Sequence, residues 1–227
     1  MLELSNVFIE FKFMIMKTLK YILMGILFIA IIPLCNSQVP GKSKQVITLK
    51  SVPENVSVKL LSESKEILLK RLAFMRLRDI QITQNDKRSE LVVSVNDTIS
   101  HKTLSELLLI QGHLKFYCVS AATDTLNEHD ILEAHADLNN PKQAVLTITF
   151  KENAWKMLEN TTSRNKNKPL MFVMDNKVYS TPVISDVISH GKISLTGSGF
   201  SSTEVRKLAA IISGGTLPLN FTVVSNN

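Results

Sequence analysis

His129, Glu133 and His135 bring three metal-ligating side chains within a short stretch. Residues four apart share a helix face, so His129 and Glu133 would meet on a helix, while His135, six residues on, would point elsewhere. The spacing predicts no metal site. His101, His113 and His190 stand alone and read as surface or cap histidines. No serine, threonine or cysteine sits in a nucleophile elbow, and no glycine-rich loop has the spacing that cradles phosphate or a dinucleotide. Gly197-Ser198-Gly199 reads as a turn before a helix. Asp175 has the chemistry of a catalytic carboxylate, but Asp175-Asn176 lies between two apolar runs, and both residue types tolerate the positive φ that a tight hairpin requires. Turn-former is its expected role. The expectation is a chain without catalytic, cofactor-binding or metal-binding residues.

Composition is that of a folded globular protein, not a disordered one. The chain has 227 residues, 44% hydrophobic and 20% charged, and a formal charge of +6. That length allows one sizeable domain or two small ones. Two basic clusters, Lys70, Arg71, Arg76, Arg78 and Arg164, Lys166, Lys168, read as a solvated helix face and a solvated loop. Few aromatics and no nucleic-acid-binding signature exclude nucleic acid as the expected partner. Asn55, Asn96, Asn160 and Asn220 match a glycosylation sequon, a pattern frequent by chance.

Tyr21 to Leu34 is an apolar run preceded by Lys17 and Lys20 and followed by small and polar residues, the pattern of a signal peptide over residues 1–37. The run is short for a membrane span. A retained membrane tether through residues 17–34 is the second reading, and lipidation at Cys35 the third; Met16 is an alternative start. Cleavage would leave Cys118 as the remaining cysteine, a small buried hydrophobe on a strand. The mature chain is expected to be exported, periplasmic, and in contact with a membrane only through its N-terminal segment.

Residues 168–218 carry the clearest local signals. Pro169 to Met174 reads as a strand, Asp175-Asn176 as the turn, and Lys177 to Ser180 as its partner. Pro182 bars a central ladder position, and Gly191 and Gly197 to Gly199 bracket a strand at Lys192 to Thr196. Ser201 with Glu204 makes a capping box. Val205, Leu208, Ala209 and Ile212 follow at helical spacing, Gly214-Gly215 ends the helix, and Leu217 to Val223 alternates as a last strand. Upstream, residues 38–45 read as a linker and Val46 to Val52 as the first strand. A helix follows over Leu61 to Arg78, then strands at Ile80 to Thr83 and Leu91 to Val95. Ser100 caps a second helix, Gly112 ends it, and Leu114 to Val119 is a strand. The order β, α, β, β, α, β is ferredoxin-like. Residues 120–126 read as a polar connection, Asn127 with Asp130 as the cap of a helix, and Ala144 to Phe150 as a strand. A short helical stripe follows through Ala154 and Thr161 with Trp155 on its flank, then a loop over residues 162–168.

The ordered elements of residues 168–218, with Asp175, Pro182, Gly191, Gly197, Phe200, Gly215, Leu217 and Pro218, resemble the large periplasmic domain of SecD, an accessory subunit of the bacterial Sec translocase. Asp130 with Ala134, Phe150 with Ala154, and Thr161 resemble its head; Arg71, the strands around 80–95 and Gly112-x-Leu114-x-Phe116 resemble its base. The resemblance covers roughly residues 45–224. It implies an α+β fold, a ferredoxin-like base sub-domain (residues 46–120, completed by 201–227) carrying an inserted α+β head (residues 121–200). Crossings near Ala121 and Phe200 would act as a hinge. It also implies capture of unfolded or translocating polypeptide, or of an envelope partner such as the Sec translocase, in protein export. Beyond Leu34 no apolar run approaches membrane length, so SecD's proton-coupled pulling is not carried over. Edge strands beside Pro182 and the 162–168 loop are the expected sites of strand addition. The alternative is a scaffold with the same fold and no peptide capture. A peptide binder should expose a free edge or an apolar groove, whereas a scaffold should cover its edges.

Overall fold

The computed structural model describes residues 43–119, 121–140 and 143–226. The expected leader, Cys35 included, and the first part of the expected linker lie outside them. Strand β1 (Ser43–Val52) opens the described chain and helix α1 (Val58–Phe74) follows, started by Ser57, whose hydroxyl accepts from the Leu60 N–H. Leu61, Leu68 and Leu72 form the buried stripe of α1. The helix was expected to reach Arg78 but stops at Phe74. Arg76 N–H bonds to the Ala73 carbonyl at 2.8 Å and Leu77 N–H to that of Leu72 at 3.3 Å, a Schellman stop. Arg76 occupies the left-handed position, with φ +59, where an arginine costs about 1 kcal/mol relative to glycine.

Strands β2 (Gln81–Asn85) and β3 (Glu90–Asp97) come next, and the last strand of the chain, β11 (Asn220–Asn226), completes their sheet in the order β11-β1-β3-β2. That is the ferredoxin-like order, with β11 as the fourth strand. Sequence order alone points to Leu114–Val119 for this place. Instead, β4 (Leu114–Cys118) belongs to a second antiparallel sheet, β5-β4-β8-β9, with β5 (Ala121–Asn127), β8 (Leu170–Met174) and β9 (Lys177–Ser180). Alternation identifies a strand but not its partner. Here the partner is β8, where Phe172 stacks on Phe116 with ring centroids 4.9 Å apart. The polar stretch 120–126 is mostly β5, not a connection. Since β4 and β5 are neighbours in one sheet, Ala121 lies within that sheet rather than at a hinge, and residues 42–227 group as one compact unit.

The third sheet is β10-β7-β6, from β6 (Ile131–Asp137), β7 (Val145–Phe150) and β10 (Lys192–Leu195). A helix was expected from Asn127. The capping box forms, with Asn127 N–H donating to Asp130 at 2.9 Å, but it closes only a 3-10 turn over Glu128–Asp130. A capping box dictates one turn; beyond it, pairing of Ile131–Asp137 with β7 prevails. Phe150 of β7 meets Phe116 edge-on at 5.4 Å, joining the second and third sheets.

Helix α2 (His101–Leu109) is capped by Ser100, and α3 is Glu152–Arg164. The loop expected over 162–168 is the end of α3 and its tied-down exit. Thr162 and Asn165 are buried; the Thr162 hydroxyl donates to Leu158 O and accepts from Ile188 N–H, and Asn165 Nδ2 donates to Thr161 O. Helix α4 (Ser202–Gly214), capped by Ser201, packs on α1 and on the third sheet and buries Val205, Leu208, Ala209, Ala210 and Ile211, with Arg206 exposed. Among the described residues no helix is long and apolar enough to cross a membrane.

Candidate functional site

Arg71, expected on a solvated face, is fully buried and ties the elements together. Its Nε and Nη2 donate to Gly215 O at 3.2 and 2.7 Å, Nη1 to Leu107 O at 3.1 Å and to Ile110 O, and Nη2 to Gln111 O at 2.7 Å. Every guanidinium donor is used. These acceptors are carbonyls from the end of α2, the segment just beyond it and the residue closing α4, the helix-end groups that lack intrahelical partners. Burial pushes the guanidinium down to about 10, and the negative charge of Asp175 partly offsets this.

The residues singled out from sequence fall mainly around two such anchors. Gly112, at φ +93, leaves room for Arg71: a Cβ there would lie 3.0 Å from Nη2. Its N–H and that of His113 donate to the Asp175 carboxylate at 3.0 and 2.8 Å, so Asp175 both turns the β8–β9 hairpin and fastens it to the α2–β4 junction. Leu217 N–H donates to Gln111 O, and Pro218 is exposed. At the second anchor, Trp155 Nε1 donates to Phe150 O at 2.8 Å and its ring covers Gly191, where a Cβ would lie 1.9 Å away. Thr161 is buried on α3, Phe200 is buried beside Gly197, whose carbonyl accepts its N–H, and the Pro182 carbonyl accepts from Leu170 N–H. Asp130 serves the turn before β6.

Two ionic clusters accompany this frame. Burial alone would raise the Glu128 carboxyl, but hydrogen bonds from His113 at 2.9 Å, from its own backbone and from Leu114 N–H at 3.0 Å outweigh it and hold the group below its ordinary value. Lys207 of α4 is buried and paired with Glu106 of α2 and with Glu204 at 2.6 Å. Burial lowers it, and the two carboxylates more than reverse that, leaving it raised. Burial pushes the Cys118 thiol up, in keeping with an unreactive core residue. Among the described residues no group of three histidine, cysteine or acidic side chains is placed to hold a metal ion; His129 lies in the 3-10 turn and Glu133 and His135 on β6.

Ala134 leads to the surface feature with the most binding character. Strand β6 is an edge, and a groove of about 680 Å3 runs along it, walled by the end of α1 (Ala73, Phe74, Arg76) and by α4 (Arg206, Ala209, Ala210, Ser213). Leu132 and Phe74, in this groove, are 65% and 53% exposed, far above what a covered core residue shows. The Ser213 hydroxyl accepts from Ala134 N–H at 3.1 Å and donates to Ala134 O at 2.9 Å, capping one residue of the edge. Alternation along an antiparallel strand turns the N–H and C=O of Ala136 to the same side. The helix expected from the Asn127 cap hides this groove in the sequence, because the residues after Asp130 are strand β6. Its cue was the alternation of Ala134, Ala136 and Leu138. By contrast, the expected 162–168 peptide site is occupied by its own chain: Asn167 N–H donates to Ile184 O and Ile184 N–H to Lys168 O.

This architecture has relatives. A family model described as the SecDF P1 head subdomain matches residues 106–219, from within α2 to the residue before β11. The chain is 25% identical over 187 residues to protein translocase subunit SecD of Acidaminococcus fermentans, covering 82% of this chain and 44% of that protein. Over 73 residues it is 40% identical to SecD of Syntrophobacter fumaroxidans, covering 32% of this chain and 14% of that protein. It thus spans less than half the length of these curated relatives. Among solved structures, a crystal structure of SecDF in a super-membrane-facing form superposes with a TM-score of 0.64 at 21% identity, covering 82% of this chain and 30% of that one. A second structure, of SecDF as a membrane component that enhances protein export, superposes with a TM-score of 0.60 at 21% identity over 79% of this chain and 98% of that one. The likeness to solved structures shows the shared fold. The matched model spans half of the chain, Gly112 and Asp175 included, and on that match the chain belongs to the SecDF P1 head subdomain family.

Proposed function

We propose that this chain is an exported, non-enzymatic module of protein export that captures extended polypeptide by strand addition at β6. The observation that carries the reading is the β6 edge beyond the Ser213-capped Ala134, beside a groove with exposed Phe74 and Leu132. Outward backbone groups such as those of Ala136 would supply ladder hydrogen bonds, and the apolar walls would take alternate side chains. Such a site suits unfolded or newly translocated chains, which present backbone and apolar side chains together. Membership in a family whose relatives are translocase subunits supports a place beside the Sec translocase on the periplasmic side. In the proposed division, β1 to β3, α1, α4 and β11 form the base and the intervening elements the head.

The test is titration of the chain with a reduced, unfolded polypeptide, followed by Trp155 fluorescence and anisotropy. Leu132→Ser and Phe74→Ser change exposed side chains, so the fold should stay within about 0.5 kcal/mol of wild type while binding weakens several-fold. Absence of saturable binding across several unfolded chains would sink the proposal. The rival is a scaffold without peptide capture, and the Ser213 cap on Ala134 favours it as far as one residue of edge. A scaffold would be unaffected by either surface substitution in its binding to a fixed envelope partner.

A further inference from the structure

We infer that the segment taken up along β6 carries an acidic side chain, directed at Arg76 and Arg206. The inference rests on the proposed peptide site and specifies what that site selects. Both arginines line the β6 groove and also the adjoining cleft of about 520 Å3, so they stand together on the ridge between the two. Both are exposed, and among the described residues neither guanidinium has an ion-pair or hydrogen-bond partner. The adjoining cleft adds Ser100 and Thr103 at the start of α2, Thr203 at the start of α4, and Asp97, whose carboxylate accepts from the backbone N–H groups of Arg78 and Thr98 rather than pairing with Arg76 or Arg206.

Glu133 and Asp137 also line the groove. They occupy β6 positions alternate to Ala134 and Ala136, so strand periodicity carries their side chains to the face opposite the alanines. Neither pairs with the arginines. The groove therefore keeps a cationic helical wall available to a ligand.

The backbone of Arg76 supplies an independent observation. It closes the Schellman stop of α1 at φ +59, the position glycine fills without strain. A residue that only ended the helix would be better as glycine. Arginine there places a guanidinium at the groove's mouth despite the strained backbone, which is the pattern expected of a binding residue. The same geometry gives a substitution whose effects on folding and binding have opposite signs.

The experiment uses three synthetic ten-residue extended peptides rich in valine and isoleucine, identical except for a central Glu, Gln or Lys, titrated against the full chain by fluorescence anisotropy. The Glu peptide should bind about tenfold more tightly than the Gln peptide, as expected of one charge-assisted pair, and the Lys peptide more weakly still. Raised salt should shrink the difference. Arg76→Gly should raise the thermal midpoint yet abolish most of the Glu preference, and Arg206→Gln should abolish it with the fold unchanged. Equal binding of the Glu and Gln peptides, or a preference that survives both substitutions, overturns this inference while leaving strand capture standing. Binding of none of the three overturns both.

Discussion

The guanidinium of Arg71 grips the carbonyl oxygen of Gly215 through two donors, 144 residues apart in the chain. One side chain thereby fastens α1 to the end of α4, and its remaining donors fasten both to the end of α2. The wall of the β6 groove is made by α1 and α4, so this grip also sets the groove's shape.

Arg71→Ala should cost about 3–5 kcal/mol of stability, because it removes a buried charge and strands several buried carbonyls at once. Arg71→Lys should recover only part of that, since an ammonium cannot reproduce the planar fork. Urea denaturation of the three proteins checks this. A loss below 1 kcal/mol for the alanine variant would contradict the role assigned to Arg71.

Gly191→Ala should destabilise by about 2 kcal/mol or more, through the clash with the Trp155 ring and the left-handed φ of +61. It should also shift Trp155 emission, since the ring must leave the position from which it donates to Phe150 O. Trp155 is the sole tryptophan in the chain, so the spectrum reports this site alone.

Glu128 gives a pH dependence of definite sign. A carboxyl held below its ordinary value of 4.5 contributes stability that is present above that value and lost as pH falls through the folded-state one. The urea midpoint of wild type should therefore fall more than that of Glu128→Gln between about pH 5 and about pH 3. Parallel curves would contradict the assignment.

Lys207 gives the opposite sign. A lysine raised above its ordinary value of 10.5 contributes stability that is fully present below that value and lost as pH rises through the folded-state one. Lys207→Met should remove that alkaline loss and leave Glu106 and Glu204 as unpaired neighbours at neutral pH. Stability measured from neutral to strongly alkaline pH distinguishes the two proteins.

Local chemistry was legible in the sequence, and partnership was not. Asp175-Asn176 as a hairpin tip and the caps Ser100 and Ser201 were readable because each depends on neighbours within four residues. The pairing of β4 with β8 joins residues such as Cys118 and Leu170, and the place of β11 in the first sheet joins residues such as Val52 and Asn220, separations that alternation cannot specify. Arg71 misled for a related reason: a cation on a helix reads as solvated unless the carbonyls that surround it are known. At 127–137 a true capping box overstated its reach, and the β6 groove was hidden with it.

The most direct measurement is amide hydrogen exchange of the full chain with and without a saturating amount of reduced, unfolded polypeptide. Strand capture at β6 predicts slowed exchange at Ala136 and its neighbours from Leu132 to Asn139. Bound polypeptide that leaves these amides unchanged and protects β9 or another edge would contradict the account.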